Sequence, residues 1–296
     1  MDASIIILTK NGGEGFRRLL ERVYRQRYDG TFEVIVIDSG STDGTPEAAG
    51  GYPVRFQSIP SHEFHHSRTR NLAAGMAQGK YIVFITQDAL PAGDDWMQKL
   101  VDSFADPQVA MVVGRQIAWD NVKPPERFFY HYNFPDFRIV VKSGAEDYYH
   151  DNVFISNVNA AYRSDVLMKY GFKEDMVMAE DKEIAARLIR DGYIIVYEPS
   201  AAVYHAHDYG LKDVFVRYLD YGLALEQGAG RLPGTDRPLT SRIGAYLGAE
   251  LAFLKCGNCL GWAPYAIIYE MCKYAGLLLG RMRAALRNPQ RRKRRR

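Results

Sequence analysis

Cysteine is scarce in this chain, with three in 296 residues, at positions 256, 259 and 272. An odd number confined to the last fifth cannot supply a disulfide framework, and the thiols are expected to be reduced. Cys256-Gly257-Asn258-Cys259 has C-x-x-C spacing, but a zinc centre needs four ligands and no histidine stands nearby, so the spacing is read as incidental. A run of 18 uninterrupted apolar residues is lacking, which argues against a membrane span. A signal peptide is lacking as well: Met1-Asp2-Ala3-Ser4 leads straight into a strand-like Ile5-Ile6-Ile7-Leu8, and the expectation is a cytoplasmic protein. G-x-G-x-x-G is also missing. After the first strand, Asn11-Gly12-Gly13-Glu14-Gly15 has its glycines at the wrong spacing, so a dinucleotide-binding fold is set aside.

The remaining composition is that of an ordinary globular protein, 47% apolar, long enough for one large domain or one domain with a helical appendage. The formal net charge of +3 hides an asymmetry: residues 281–296 hold nine Lys and Arg and no acid, so the rest of the chain is mildly acidic.

Over the first 115 residues strand and helix alternate. Ile5–Leu8 is followed by Phe16, Leu19, Leu20, Val23 and Tyr24, the spacing of an amphipathic helix. Phe32–Ile37 is a second strand, Val54–Gln57 a weaker third, and Leu72, Ala73, Met76 and Ala77 mark the inner face of the next helix. Tyr81–Ile85 is a continuous apolar run, as expected of a strand buried on both faces. Trp96, Met97, Leu100, Val101 and Phe104 give another helix, and Val109–Val113 a fifth strand. This alternation predicts an α/β fold with a mostly parallel sheet and helices on both faces.

Two of these strands end at an acid, Asp38 and Asp88. Parallel strands present their carboxyl ends together, so both carboxylates are expected at one cleft, gripping a donor-rich ligand or a divalent cation. Asp88 could equally cap the turn Ala89–Gly93.

The segment Ile37-Asp38-Ser39-Gly40-Ser41-Thr42-Asp43-Gly44-Thr45 resembles the D-[DS]-x-S-x-D-x-[ST] element of the family 2 glycosyltransferases, inverting enzymes of the GT-A nucleotide-sugar fold. Phe64-His65-His66-Ser67-Arg68-Thr69-Arg70-Asn71 and Phe84-Ile85-Thr86-Gln87-Asp88-Ala89-Leu90-Pro91 resemble its rhamnosyltransferase-like branch. The likeness covers roughly residues 4–222. It implies a donor site of Thr9, Asp38, Ser41, Arg70, Asn71, Gln87 and Asp88, with Asp38 on the nucleobase and Asp88 on metal and ribose. The first acid of the family's D-x-D is Thr86 here, leaving one carboxylate for Mg²⁺ or Mn²⁺. One can suffice, since these ions complete their shells with phosphate and water. His205 and His207, in His205-Ala206-His207-Asp208, could add nitrogen ligands better suited to Mn²⁺ than to Mg²⁺. His62, His65 and His66 precede a helix and are not read as ligands.

Between Arg115 and Asn152 periodicity disappears, prolines interrupt any long helix, and aromatics crowd together in Phe128–Phe137. They would cover the acceptor side of the cleft or pack as a satellite core. Glu180 and Asp181 then open a helix with Ile184, Leu188 and Ile189 as its stripe. Acids suit a helix N-terminus. The resemblance makes them the E-D pair that supplies the general base, Asp181 with Glu180 as alternate.

Val214, Tyr218, Leu219 and Leu223 suggest one more helix, and 243–286 two apolar helical stretches interrupted by Glu250, Lys255, Glu270 and Lys273. The expected organisation is a transferase domain over 1–225, a linker over 226–240 and a helical region with a polybasic tail over 241–296. Apolar helices followed by Arg281, Arg283, Arg287 and Arg291–Arg296 suit an anionic membrane surface at the inner face of the cell membrane. They could instead form a homodimer contact; a basic tail can also bind nucleic acid, but no nucleic-acid motif accompanies it. The function expected is transfer of L-rhamnose from dTDP-L-rhamnose to a hydroxyl of a glycan or lipid-linked acceptor in cell-surface polysaccharide synthesis. A sugar nucleotidyltransferase would show a Gly-rich triphosphate loop, which Thr9–Gly15 only weakly imitates. A non-catalytic nucleotide-binding or nucleic-acid-binding protein would have no need of the E-D pair.

Overall fold

The apolar runs lie side by side in one sheet. In the computed structural model, which describes residues 1–142, 155–176, 178–227 and 239–287, four strands pair parallel in the order β3-β2-β1-β4. They are β1 (Ala3–Thr9), β2 (Phe32–Asp38), β3 (Val54–Ser58) and β4 (Tyr81–Ile85), connected through α1 (Gly13–Tyr24), α2 (Thr45–Gly50) and α3 (His66–Met76). Ile5, Ile7, Val34, Val36 and Val83 share one buried cluster with Phe16, Leu19, Leu20 and Val23 of α1. Each such side chain contributes about 1.5–3 kcal/mol relative to exposure.

Beyond β4 the sheet becomes mixed. A short β5 (Leu90–Pro91), α4 (Trp96–Asp102) and β6 (Val109–Ile117) come next, followed later by β7 (Ile139–Val141), β8 (Asn159–Arg163), α6 (Ser164–Tyr170), α7 (Glu180–Arg190) and β9 (Ile194–Tyr204). β8 is inserted between β4 and β6 and runs antiparallel to both. β9 pairs parallel with β6 and antiparallel with β5 and β7. The expected parallel succession therefore stops at β4. β8 enters more than forty residues after β6 and runs against both of its neighbours, a pairing between distant segments that local alternation does not encode.

Two units are distinguished: Met1–Ile117 with Asn133–His205, and Ala118–Tyr132 with Ala206–Arg296. The second is helical, built from α5 (Pro124–Asn133, all but its last residue), α8 (Leu211–Gln227), α9 (Leu239–Cys256) and α10 (Ala263–Arg287). Pro124 and Pro125, expected to interrupt a helix, instead open α5, where a missing N–H costs nothing. α8 and α10 meet backbone to backbone. A Cβ added to Gly276 would lie 2.4 Å from the Phe215 carbonyl oxygen, and one on Gly280 2.1 Å from that of Leu219. This Gly276-x-x-x-Gly280 spacing, which in membranes brings two helices together, here joins two helices of one chain.

No helix among the described residues is long and apolar enough to cross a membrane. α10 nevertheless exposes Ile267, Ile268, Met271, Leu278, Met282 and Leu286. Most of the expected linker, residues 143–152 of the irregular stretch and the tail from residue 288 lie outside the described residues.

Candidate active site

Three strand ends build the floor of the site. Thr9 closes β1, and its hydroxyl donates to Gln87 Oε1 at 2.7 Å; the Lys10 amide donates to the same oxygen, and Gln87 Nε2 donates to the Lys10 carbonyl. Gln87 thereby ties the end of β1 to the segment after β4. Asp38 closes β2 and is 2% exposed. Its Oδ2 accepts the Gly40 and Ser41 amides at 3.0 and 2.9 Å, and its Oδ1 accepts the Ser41 hydroxyl. The carboxylate thus shapes the Gly40–Ser41 turn, and Ser41 Oγ in turn accepts the Asn11 amide.

The turn after β4 presents Asp88. Its Oδ2 lies 3.5 Å from Nε2 of His205, the residue that follows β9 and whose amide donates to the Ile117 carbonyl at 2.9 Å. His205 is buried and its Nδ1 is 2.9 Å from Gln116 Oε1. His207, two residues along the chain, brings a third ligand atom, and the three ligand atoms lie within 4.8 Å of one another. One carboxylate oxygen and two imidazole nitrogens fit a divalent ion of intermediate softness, Mn²⁺ better than Mg²⁺. Thr86, at the place of the missing acid, has a buried hydroxyl without a hydrogen-bond partner among the described residues, an orphaned polar atom beside the same turn. His62, His65 and His66 enter no such group among the described residues.

The expected base stands at the N-terminus of α7. Asp181 Oδ2 accepts the Asn157 amide at 3.2 Å and Oδ1 its neighbour Lys182's at 2.8 Å. Asn157 lies just before β8, and the next residue, Val158, accepts the Thr86 amide at 3.3 Å. A backbone path therefore joins Asp181 to the Asp88 turn along one sheet edge. Burial, and then the neighbouring Glu180 carboxylate, push the Asp181 carboxyl above the usual range, the direction a proton acceptor near neutral pH needs. Glu180 is tied to Arg70, with Oε1 2.7 Å from Nη1 and both side chains buried. The two acids are thus differentiated by their partners. Ala179, just before them, has φ +65°, a conformation costly for an L residue.

Arg70 comes from α3, whose buried residues are Ser67, Thr69, Arg70, Ala73 and Ala74. Leu72, expected on that inner face, is 42% exposed, because the helix turns its polar residues inward to reach Glu180 and the Met176 carbonyl. Both ends of the Asn71 amide engage the Phe172 backbone at 2.8 Å. Of the aromatic run, Phe128, Tyr130 and Phe134 are buried and pack as core, whereas Phe137 is exposed. Asn157 and Gln116 were missed in the sequence; a single amide in or beside a strand has no spacing signal.

Comparison with known proteins gives the family and the fold. The family Glycosyl transferase family 2 matches residues 4–171. The O-antigen chain rhamnosyltransferase RfbN of Salmonella typhimurium is 34% identical over 95% of this chain and 90% of its own length. WbaN of Salmonella anatum, another O-antigen chain rhamnosyltransferase, is 31% identical over 94% and 89%. Among solved structures, the mannosyltransferase PcManGT of Pyrobaculum calidifontis, in complex with GDP-Man and Mn²⁺, superposes with a TM-score of 0.60 at 19% identity, covering 95% of this chain and 86% of that one. S. aureus TarS 1-349 with UDP gives 0.57 at 15% identity, covering 98% and 92%.

Proposed function

The chain belongs to glycosyl transferase family 2, and from that premise we propose that it moves L-rhamnose from dTDP-L-rhamnose, with inversion, to a hydroxyl of a glycan or lipid-linked acceptor in cell-surface polysaccharide assembly. The observation that carries the reading is the convergence on one sheet edge of Asp88 with His205, and of Asp181 with Asn157. The rhamnose donor is supported by the names of the two relatives similar over most of their length.

In this reading Asp88, His205 and His207 hold Mn²⁺ or Mg²⁺, which when bound neutralises charge on the leaving diphosphate. Asp181 takes the proton of the acceptor hydroxyl as its oxygen forms the bond to the anomeric carbon and the bond to phosphate breaks. The Arg70 ion pair keeps Glu180 occupied, so the proton goes to Asp181. Thr9 and Gln87 brace the donor floor, Asp38 and Ser41 shape the nucleobase turn, and Asn71 holds Phe172 in place behind Arg70.

The test is thermal shift and single-turnover transfer with dTDP-L-rhamnose, UDP-GlcNAc and GDP-mannose, each with Mn²⁺ or EDTA, because a ligand of the native state raises the melting temperature. Stabilisation by dTDP-L-rhamnose that needs Mn²⁺ and vanishes in Asp88→Ala is expected. Stabilisation by the other sugar nucleotides alone would sink the rhamnose assignment, and an equal shift in EDTA would sink the metal.

The second element of the reading is a cytoplasmic enzyme peripheral to an anionic bilayer. Its support is the exposed apolar stripe of α10, from Ile267 to Leu286, on a helix that also carries Arg281 and Arg283. Each basic residue near such a surface contributes about 1 kcal/mol. Phosphatidylglycerol vesicles should sediment the protein at low salt, and Met271→Glu with Met282→Glu should release it. Unchanged sedimentation of that variant would remove α10 from the contact.

A further inference from the structure

We infer that Gln116 is the residue that fixes which nitrogen of His205 is offered to a cation at Asp88. The inference rests on the metal reading above and adds the residue that orients the ligand. Gln116 and His205 are both buried, 3% and 5% exposed. The amide oxygen Oε1, which can only accept, faces Nδ1 at 2.9 Å. Nδ1 of the neutral ring therefore carries the hydrogen, and Nε2 carries the lone pair. Nε2 is the nitrogen 3.5 Å from Asp88 Oδ2. That separation is long for a charge-assisted hydrogen bond. It suits two ligands of one ion, because atoms each about 2.1 Å from a shared centre lie roughly 3.0–3.5 Å apart at octahedral or tetrahedral angles.

The backbone is shaped to make this contact. The β6–β9 register slips so that Gly114 faces Glu198 while Gln116 faces Val203. Pro199–Ala202 are therefore left outside the pairing, opposite Arg115. Neighbours across parallel strands share a face, as do residues two apart, so the slip sets Gln116 on the face of Val203 and His205. The excursion is pinned. Asn159 Nδ2 donates to the Ala201 carbonyl at 2.8 Å and to that of Arg115 at 3.2 Å, and Trp96 Nε1 donates to Asn159 Oδ1 at 2.9 Å. Gly114 makes room for it, since a Cβ there would lie 2.2 Å from Asn159 Nδ2 and 2.3 Å from the Ala201 oxygen.

A merely space-filling role fits poorly. Gln116 Nε2 is buried with no hydrogen-bond partner among the described residues, and a buried unpaired donor is costly. An apolar side chain would fill the same volume without that cost, so the amide is retained for its accepting oxygen. Metal-bound histidines commonly need such an outer partner, and losing it weakens metal affinity about 10–100-fold.

The experiment compares wild type, Gln116→Met and Gln116→Glu in the full chain. Nitrogen NMR of ¹⁵N-histidine-labelled protein, with His205→Asn assigning the signal, reads the tautomer without metal. Mn²⁺ binding is followed by electron paramagnetic resonance, alone and with dTDP. The expected result is a proton on Nδ1 in wild type, Mn²⁺ affinity weakened about 10–100-fold in Gln116→Met, and affinity within a few-fold of wild type in Gln116→Glu, whose carboxylate also accepts. A wild-type proton on Nε2, unchanged affinity in Gln116→Met, or equal loss in both variants at unchanged melting temperature would each overturn the inference. Absence of Mn²⁺ binding in wild type would overturn the metal reading and take this one with it, which separates the two failures.

Discussion

Both units bury charge, and they neutralise it differently. In the sheet unit Arg70 meets Glu180 at 2.7 Å, and Asp181 is held by two backbone amides. In the helical unit Lys273 bonds Glu270 at 2.7 Å, and its Nζ lies 5.1–5.9 Å from the ring centres of Tyr246, Tyr218, Phe129 and Tyr269. Burial works against the lysine charge, but Tyr218, Tyr246 and Glu270 outweigh it and hold the pKa above its ordinary value. Around Lys273 stand three buried acids, Glu126, Glu250 and Glu270. Both Glu250 oxygens lack a hydrogen-bond partner among the described residues, and Glu126 accepts from the Tyr269 hydroxyl. Burial pushes Glu126 and Glu250 each up to about 7. Directional partners in the sheet unit thus leave one carboxyl poised at an edge, whereas the excess acids of the helical unit are driven toward neutrality.

The largest expected effect tests the sheet side. A positioned general base contributes about 10²–10⁴ in rate, so Asp181→Asn should reduce single-turnover transfer by that factor while donor affinity survives. Its stability should change little, because the amide ends the repulsion with Glu180 but turns an N–H donor toward one of the two backbone amides that the carboxylate accepts. Undiminished turnover would remove Asp181 from the chemistry.

Next come the ion pairs. Breaking a buried pair from one side costs about 3–5 kcal/mol, because the remaining charge is left unpaired. Glu180→Gln, which strands Arg70, and Lys273→Met, which strands Glu270, should both lower chemical-denaturation stability on that scale. If Lys273→Met costs under about 1 kcal/mol while Glu180→Gln costs the full amount, the helical unit does not depend on its ion pair as the sheet unit does, and the contrast between the units sharpens.

The pH dependence follows from Glu126. Its folded pKa of about 7 lies above the ordinary 4.5, so the folded state binds this proton more tightly than the unfolded one. The stabilisation is full below pH 4.5 and is lost as pH rises through 7, roughly 3 kcal/mol over the window. Glu126→Gln should flatten this loss in urea titrations between pH 5 and 7.5. An unchanged slope would show that the carboxyl is ionised throughout.

The sequence reveals the parallel half of the sheet, because the periodicities of β1 to β4 and α1 are local. It hides the insertion of β8, which depends on pairing between distant segments. Leu72 was placed inward on apolarity alone, while α3 turns on the burial of Arg70, which only the remote Glu180 explains. Asp88, His205 and Asp181 were legible as residue types at strand and helix ends. Glu250, Glu270 and Lys273 looked like breaks in surface helices, since an i,i+3 pair such as Glu270–Lys273 has the same spacing on a surface as in a core.

The smallest expected effect bears on how tightly the sheet side holds its acids. Ala179 sits at φ +65° and ψ 24° as the residue before α7, and its carbonyl accepts the Glu183 amide at 3.1 Å. A left-handed conformation costs an L residue about 1–2 kcal/mol, and glycine would remove that cost while adding about 0.5–1 kcal/mol of unfolded-state entropy. Ala179→Gly should therefore stabilise the protein by about 0.5–1 kcal/mol net, a rise of roughly 2–4 °C per kcal/mol for a unit of this size. Ala179→Val should do the reverse, because a β-branched side chain fits this region worst. If the partners of Glu180 and Asp181 hold the turn by themselves, Ala179→Gly should keep turnover within a few-fold of wild type. Higher stability with turnover lowered tenfold or more would mean that the strained alanine itself aims the base. A lower melting temperature in Ala179→Gly would show that residue 179 is not left-handed in solution, and the strain before α7 would then be no part of how this unit positions its acids.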